Sequence, residues 1–148
     1  MKKNLIFTIC AAVMMAVTPS HAHHSFAMFE MHKQVVYSGT VLEYLWENPH
    51  THITVKVDPG AKIPETVGTW DIEGAGVGIM TRQGWSKTMF KAGDPIVLVA
   101  HPLKSGEKGA SLSCVILPDG TRVYQDIARP TPDEEDVIQK QLALLKHS

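Results

Sequence analysis

Histidine is the residue of this chain best placed to do chemistry. Eight histidines occur in 148 residues. In the stretch HAHHSFAMFE (residues 21–30) two of them, His23 and His24, stand directly behind Ala22. Lys2 and Lys3, a largely apolar run from Leu5 to Val17 and the exit Ser20-His21-Ala22 give the basic start, apolar middle and small-x-small end of a secretory signal peptide over residues 1–22. The run is shorter than the ~18 to 20 apolar residues of a spanning helix, so no membrane span is expected. Cys10 lies too early, behind the poor context Phe7-Thr8-Ile9, to carry a lipid anchor. Cleavage after Ala22 makes His23 the first residue of the mature chain, with a free α-amine beside its own imidazole and His24 next in line. An amine with a reference pKa of about 7.7 to 8.0 and an imidazole both bind a borderline metal such as Cu(II) near neutral pH once deprotonated.

Removing the signal leaves about 126 residues, enough for one compact domain and too few for two. Lys2 and Lys3 leave with it, so 14 basic residues become 12 against 15 acidic ones and the formal net charge moves from -1 to -3. That balance, without a Lys/Arg cluster interleaved with aromatics, argues against nucleic acid as a partner. Of two cysteines only Cys114 stays in the mature chain. It cannot form an intramolecular disulfide, and within GASLSCVIL it reads as a small buried strand residue. An apolar core must therefore hold the fold together.

The elements that must position the histidines follow from hydrophobic periodicity. After an N-terminal arm (residues 23–33), QVVYSGTVLEYLW (34–46) is rich in β-branched and aromatic residues, and its central Gly39 predicts a long strand bent or bulged at the glycine. ENPH breaks it. THITVKV (51–57) alternates, with His52, Thr54 and Lys56 on one face and Ile53, Val55 and Val57 on the other. TWDIEG adds a third strand, with Trp70 and Ile72 inward and Asp71 and Glu73 on a solvated face. GVGIMTRQGW predicts a short helix that buries Ile79 first and Met80 second. A fourth, buried strand runs from Ile96 to Ala100 behind the turn in KAGD, ASLSCVIL is the fifth, and PDG with TRVY closes a hairpin. Three strands, a short helix and two strands is the order of an OB-fold, so the fold class is mainly β, a five-stranded OB-fold-like barrel over residues 34–128. Residues 129–148 predict a C-terminal amphipathic helix, with Thr131 as cap, Pro132 at the first position, acids from Asp133 to Asp136, Lys146 in the last turn, and Ile138, Leu142 and Leu145 on one face. That face docks on its own barrel or, alternatively, on a partner protein.

On this framework His50 ends the turn after the first strand and His101 ends the fourth strand. They flank the loops between strands one and two and between strands four and five, which rim the usual binding face of an OB-fold. His52 follows His50 by two residues on the same strand face, with Cα atoms about 6.5 Å apart, so the pair can reach one metal ion. Met28 and Met31 carry soft thioethers that favour Cu(I), although Met28, with Phe26 and Phe29, reads first as a packing residue. The bland reading of His101, a strand-end histidine ahead of Pro102, is a hydrogen bond to a loop carbonyl.

The motifs HHSFAMFE, GTV, NPH, IEG, RQGW, KAGD and HPL occur in this order between His23 and Leu103, within a resemblance that covers about residues 23–123. As a set they are specific, though each alone is weak. In them the chain resembles an uncharacterised family of small secreted bacterial proteins, a domain of unknown function whose members begin their mature chain with His-His-Ser-Phe. It departs from that pattern at Glu30, where aspartate is more usual, and at His52, where an aromatic residue is more typical. It is distantly similar to periplasmic bacterial OB-fold proteins, which are binding modules, and this implies a periplasmic or secreted location. The terminal pair resembles the histidine brace of secreted copper proteins, in which the first residue binds through both nitrogens and another histidine completes the plane. Here the completing ligand would be His50 or His101, with His24 as a local alternative.

No enzyme signature emerges. Ser25 beside His24 lacks the strained elbow of a hydrolase nucleophile, Cys114 is expected to be buried and unreactive, and GAGVG lacks the lysine and spacing of a phosphate loop. The expectation is a binding protein that holds a transition metal, copper first, through His23, His24, His50, His101 and His52. The alternative is a metal-free barrel that binds a small ligand or a partner protein through the same rim and the C-terminal helix. A copper-dependent oxidase built on the brace is the third reading.

Overall fold

Alternation of apolar and polar residues organises the described part of the chain, residues 26–146 of a computed structural model. The elements are β1 (Val35–Leu45), β2 (His52–Val57), β3 (Gly68–Glu73), α1 (Val77–Arg82), β4 (Pro95–Pro102), β5 (Gly109–Ile116), β6 (Arg122–Tyr124) and α2 (Pro132–Lys146). The strand order is β3-β2-β1-β4-β5-β6. A parallel pairing of β3 with β5, from Asp71↔Gly109 to Glu73↔Ser111, closes the first five strands into a barrel. The protein is thus mainly β, with the short helix between the third and fourth strands and a helix at the C-terminal end, as the sequence predicts.

Inward-facing residues fill the barrel: Val35, Tyr37 and Val41 from β1, Ile53, Val55 and Val57 from β2, Trp70 and Ile72 from β3, with Leu98, Ala100 and Leu112 opposite. The α1 segment plugs one end with Met80 and Trp85, and the Trp85 indole N–H donates to the Tyr124 carbonyl at 2.8 Å. Met80 is fully buried and Ile79 is 43% exposed, which reverses the expected order. Successive helical side chains diverge by about 100°, so a helix this short commits one of the two neighbours to the core and the other to solvent. The expected bulge in β1 also moves: the register shifts between Val41 and Glu43 rather than at Gly39. Gly39 serves a close approach instead, since a side chain there would fall on the Lys56 carbonyl. It lies where β1 passes from pairing with β4 (Val35 to Thr40) to pairing with β2 (Thr40 to Leu45).

A second apolar cluster lies outside the barrel wall, where Ile138 of α2 packs on Val36, Ile63, Val99 and Cys114, with Leu142 and Leu145 at its margin. The helix therefore docks on its own barrel. Burial in this cluster pushes the Cys114 thiol up to about 11, so it stays protonated and inert. Gln141 makes the docking specific. Its side-chain oxygen accepts from the Val36 N–H and its amide nitrogen donates to the Gln34 carbonyl, both at 2.9 Å, which meets the edge of β1 as a paired strand would. The Thr131 N–H donates to Glu134 Oε2 at 2.8 Å and the Glu134 N–H reaches back to Thr131 Oγ1, a capping box at the start of α2. Arg122 of β6 holds Glu135 through two bonds of 2.6 and 2.8 Å.

The arm is fastened from Ala27 onward, where the Lys104 ammonium donates to the Ala27 carbonyl at 2.8 Å. Phe29 is buried and bridges to Leu103, the Glu30 N–H donates to the Pro102 carbonyl at 2.8 Å, and the Lys104 N–H donates to the Met28 carbonyl at 2.9 Å. Phe26 and Met28 are more than half exposed, so of the arm's expected packing residues Phe29 is the one most deeply engaged. Among the described residues no helix is long and apolar enough to cross a membrane.

Candidate functional site

His50 sits in the loop between β1 and β2, and backbone pairing beyond the strand ends fixes its place. The Thr51 N–H donates to the Ala75 carbonyl and the Gly74 N–H to the Thr51 carbonyl, while Thr51 itself is buried. Its ring Nδ1 lies 3.0 Å from Glu73 Oε1 and 3.2 Å from the Gly74 carbonyl. His52 opposes Glu73 in the β2–β3 register and places Nδ1 at 2.9 and 3.1 Å from the two oxygens of Asp71. The solvated face predicted for Asp71 and Glu73 is therefore a ladder of two imidazole–carboxylate pairs. His50 and His52 share this outer face, but each ring is turned to its own carboxylate.

His101 stands elsewhere on the same outer surface. It pairs with Ser111 across β4 and β5, Ser111 pairs with Glu73 across β5 and β3, and Glu73 pairs with His52. At one strand spacing per step, this lateral row separates the His52 and His101 backbones by about 14 Å. His101 is 7% exposed, and its Nδ1–H donates to the Lys33 carbonyl at 3.1 Å. The loop-carbonyl bond of a strand-end histidine is thus present, and it ties the arm to β4. Burial lowers the His101 pKa, against the opposing pull of the Lys33 and Glu30 carbonyls and the Glu134 and Asp126 carboxylates. The ring is held neutral with its proton on Nδ1, which leaves the lone pair on Nε2.

Two neighbouring clefts open along the row. One, of about 170 Å³, is lined by His101, Gln34, Ser113 and Glu134. The other, of about 290 Å³, is lined by His50, Glu73, Pro49 and Ile79. Phe26, Gln125 and Asp126 belong to the walls of both. His50 and His101 therefore face adjacent clefts rather than one. Among the described residues no three His, Cys, Asp or Glu side chains are grouped so as to hold a metal ion. His23 and His24, and the signal-peptide assignment, lie outside the described residues.

Sequence reasoning missed Gln34, Gln125, Asp126 and Glu134 as cleft walls. Periodicity does not single out a polar residue at a strand start or in a loop, and their convergence depends on the arm and the β6–α2 connection folding over the end of β4. Asp71 and Glu73 were visible as a pair on one face. Their histidine partners follow only from the β2–β3 register.

No curated protein matches this chain. A model of a family of unknown function, DUF6152, matches residues 11–112. That match takes in all of β1 to β4 and the first half of β5 and reaches upstream of the described residues; the chain belongs to this family.

Proposed function

We propose that this protein is a secreted or periplasmic binding protein that holds one transition-metal ion, copper first, between the mature N-terminus and the His50 cleft. His23 supplies its α-amine and imidazole, and His50 completes the set. The observation that carries the reading is the orientation of the described imidazoles. His50, His52 and His101 each turn Nδ1 to an oxygen acceptor, a hydrogen bond that fixes the tautomer and offers Nε2 to a metal. His50 is preferred as the completing ligand because its side chain is 40% exposed, whereas His101 is buried and occupied in fastening the arm. Phe26 supports the placement, since it lines both clefts and three residues of chain reach at most about 11 Å. His23 is therefore within reach of either cleft. A set of nitrogen donors suits Cu(II). His24 is the local substitute for His50, and His52 is an outer neighbour paired to Asp71.

The described residues do not group three donors, so the ion depends on the processed terminus. Intact mass of the exported protein should correspond to a chain that begins at His23. Electron paramagnetic resonance of the Cu(II)-loaded mature chain should show nitrogen-dominated equatorial coordination, altered by His50→Ala and unaltered by His52→Ala. A spectrum that ignores His50→Ala would remove His50 from the site. The alternative reading, a metal-free module for a small ligand or a protein partner, draws support from the cleft beside His101.

A further inference from the structure

We infer that the cleft beside His101 is a binding site for a primary ammonium group. The inference needs no metal and goes beyond the reading given above. Gln34 is 6% exposed, and its side-chain oxygen is buried without a hydrogen-bond partner. The nitrogen end of that amide is the end turned towards Glu134, whose carboxyl is held low first by the Thr131 N–H and, to a smaller degree, by Gln34, since only an N–H₂ group favours a carboxylate. Gln34 lines the cleft, and its buried oxygen is an acceptor that no protein donor satisfies. A buried unsatisfied acceptor is costly, so a ligand that satisfies it gains more than an ordinary hydrogen bond.

The rest of the wall has the same sense. His101 gives its proton to Lys33 and keeps a lone pair on the other nitrogen. Asp126 and Glu134 add two carboxylates. The cation in the wall, Arg129, is already engaged: its Nη1 donates to the Asp126 and Ala128 carbonyls, both at 2.8 Å, and its guanidinium lies 4.0 Å from the Tyr124 ring centroid. The cleft thus offers acceptors and negative charge to a guest that brings positive charge and N–H donors. Direct metal coordination is a poor match, because among the described residues no three donors are grouped closely enough. An ammonium has three donors and works at hydrogen-bond distances near 2.8 Å rather than metal–ligand distances near 2.1 Å. A volume of about 170 Å³ accommodates an amine with a short alkyl chain. The ammonium can be that of a free amine or the α-ammonium that processing creates three residues before Phe26.

The test is a ¹H–¹⁵N correlation titration of the mature protein, with a chelator present so that metal binding plays no part. The probe is propylammonium chloride, compared with tetramethylammonium chloride, which keeps the charge and lacks N–H, and with propanol, which lacks the charge. Propylammonium should shift the Gln34 side-chain amide and the Ser113 and Gln125 backbone signals saturably, and the two comparators should not. Asp126→Asn, which keeps the oxygen that accepts from the Ala128 N–H, should weaken the binding at least fivefold, with the remaining spectrum unchanged. A second sample acetylated at the α-amine distinguishes the sources. If the chain's own terminus is the occupant, acetylation shifts the same signals and only the acetylated protein takes up propylammonium; if free amines are the guests, both samples bind. The inference is overturned if propylammonium gives no saturable shift in either sample and acetylation leaves the cleft signals unmoved, or if tetramethylammonium binds equally well.

Discussion

Gln141→Ala tests how the C-terminal helix is held. The side chain makes two hydrogen bonds to the β1 edge, to the Val36 N–H and the Gln34 carbonyl, and Val36 is fully buried. Truncation to alanine deletes both and strands a buried N–H, which costs roughly 1 to 3 kcal/mol by itself. Alanine recovers only about 0.4 kcal/mol as a better helix former. A net loss of about 2 kcal/mol follows, and in a domain of this size it should lower Tm by roughly 6 to 10 °C. Gln139→Ala is the control, because Gln139 bonds only Glu135 one turn away on the helix surface, a pair worth about 0.2 to 0.5 kcal/mol. Gln141→Glu should fall between them: it keeps an acceptor for Val36 but turns a donor into an acceptor against the Gln34 carbonyl. Thermal melts of the three variants, followed by near-ultraviolet circular dichroism, provide the readout. If Gln141→Ala melts within about 1 °C of Gln139→Ala, the edge-pairing argument is wrong and Ile138 alone carries the docking.

His101 gives the stability a pH dependence of known sign. Its folded pKa is lowered, first by burial, so below about 6.5 the unfolded chain binds a proton that the folded chain refuses, and stability falls as pH drops through that window towards the folded value. His101→Gln can still donate to the Lys33 carbonyl but does not titrate. Its melting temperature in the presence of a chelator should vary less between pH 7 and 5 than that of the parent, and parallel curves would contradict the assignment. A chain ending at Tyr124 should keep its β-type far-ultraviolet spectrum, because Ile138 belongs to the outer cluster rather than to the barrel interior. It should melt lower and bind a hydrophobic dye through uncovered Val36 and Val99; complete unfolding at 25 °C would show that the helix is part of the core.

The barrel was legible because its signal is local. Ile53, Val55 and Val57 alternate in a way that admits one buried face, and Trp70 and Ile72 repeat it, so strand identity and facing follow without tertiary knowledge. The OB-fold-like class followed from the position of the short helix between the third and fourth strands. The details that failed were those set by contacts distant in sequence. Gly39 carries a strand signal, yet whether a glycine marks a bulge or a close approach depends on Lys56 across the sheet. Ile79 and Met80 are equally apolar, and only the direction from which the barrel meets α1 decides between them. The candidate site was half legible. His50, His52 and His101 were found by residue type and placed correctly at loop and strand ends. The separation of His50 and His101 into two clefts depends on the arm crossing β4 and on Asp126 and Glu134 arriving from the C-terminal segment, which no short-range pattern encodes.

Copper titration of two matched chains measures the central claim most directly. One begins at His23, and the other carries a single additional residue before it, so that every side chain is retained and only the amine moves. Calorimetry on the first should give one Cu(II) per chain, with affinity that weakens as protons compete for the nitrogens at lower pH. The extended chain should bind at least tenfold more weakly, a loss of about 1.4 kcal/mol. Equal affinities in the two chains would contradict the account, because the α-amine would then take no part and the histidines would act as an ordinary imidazole surface.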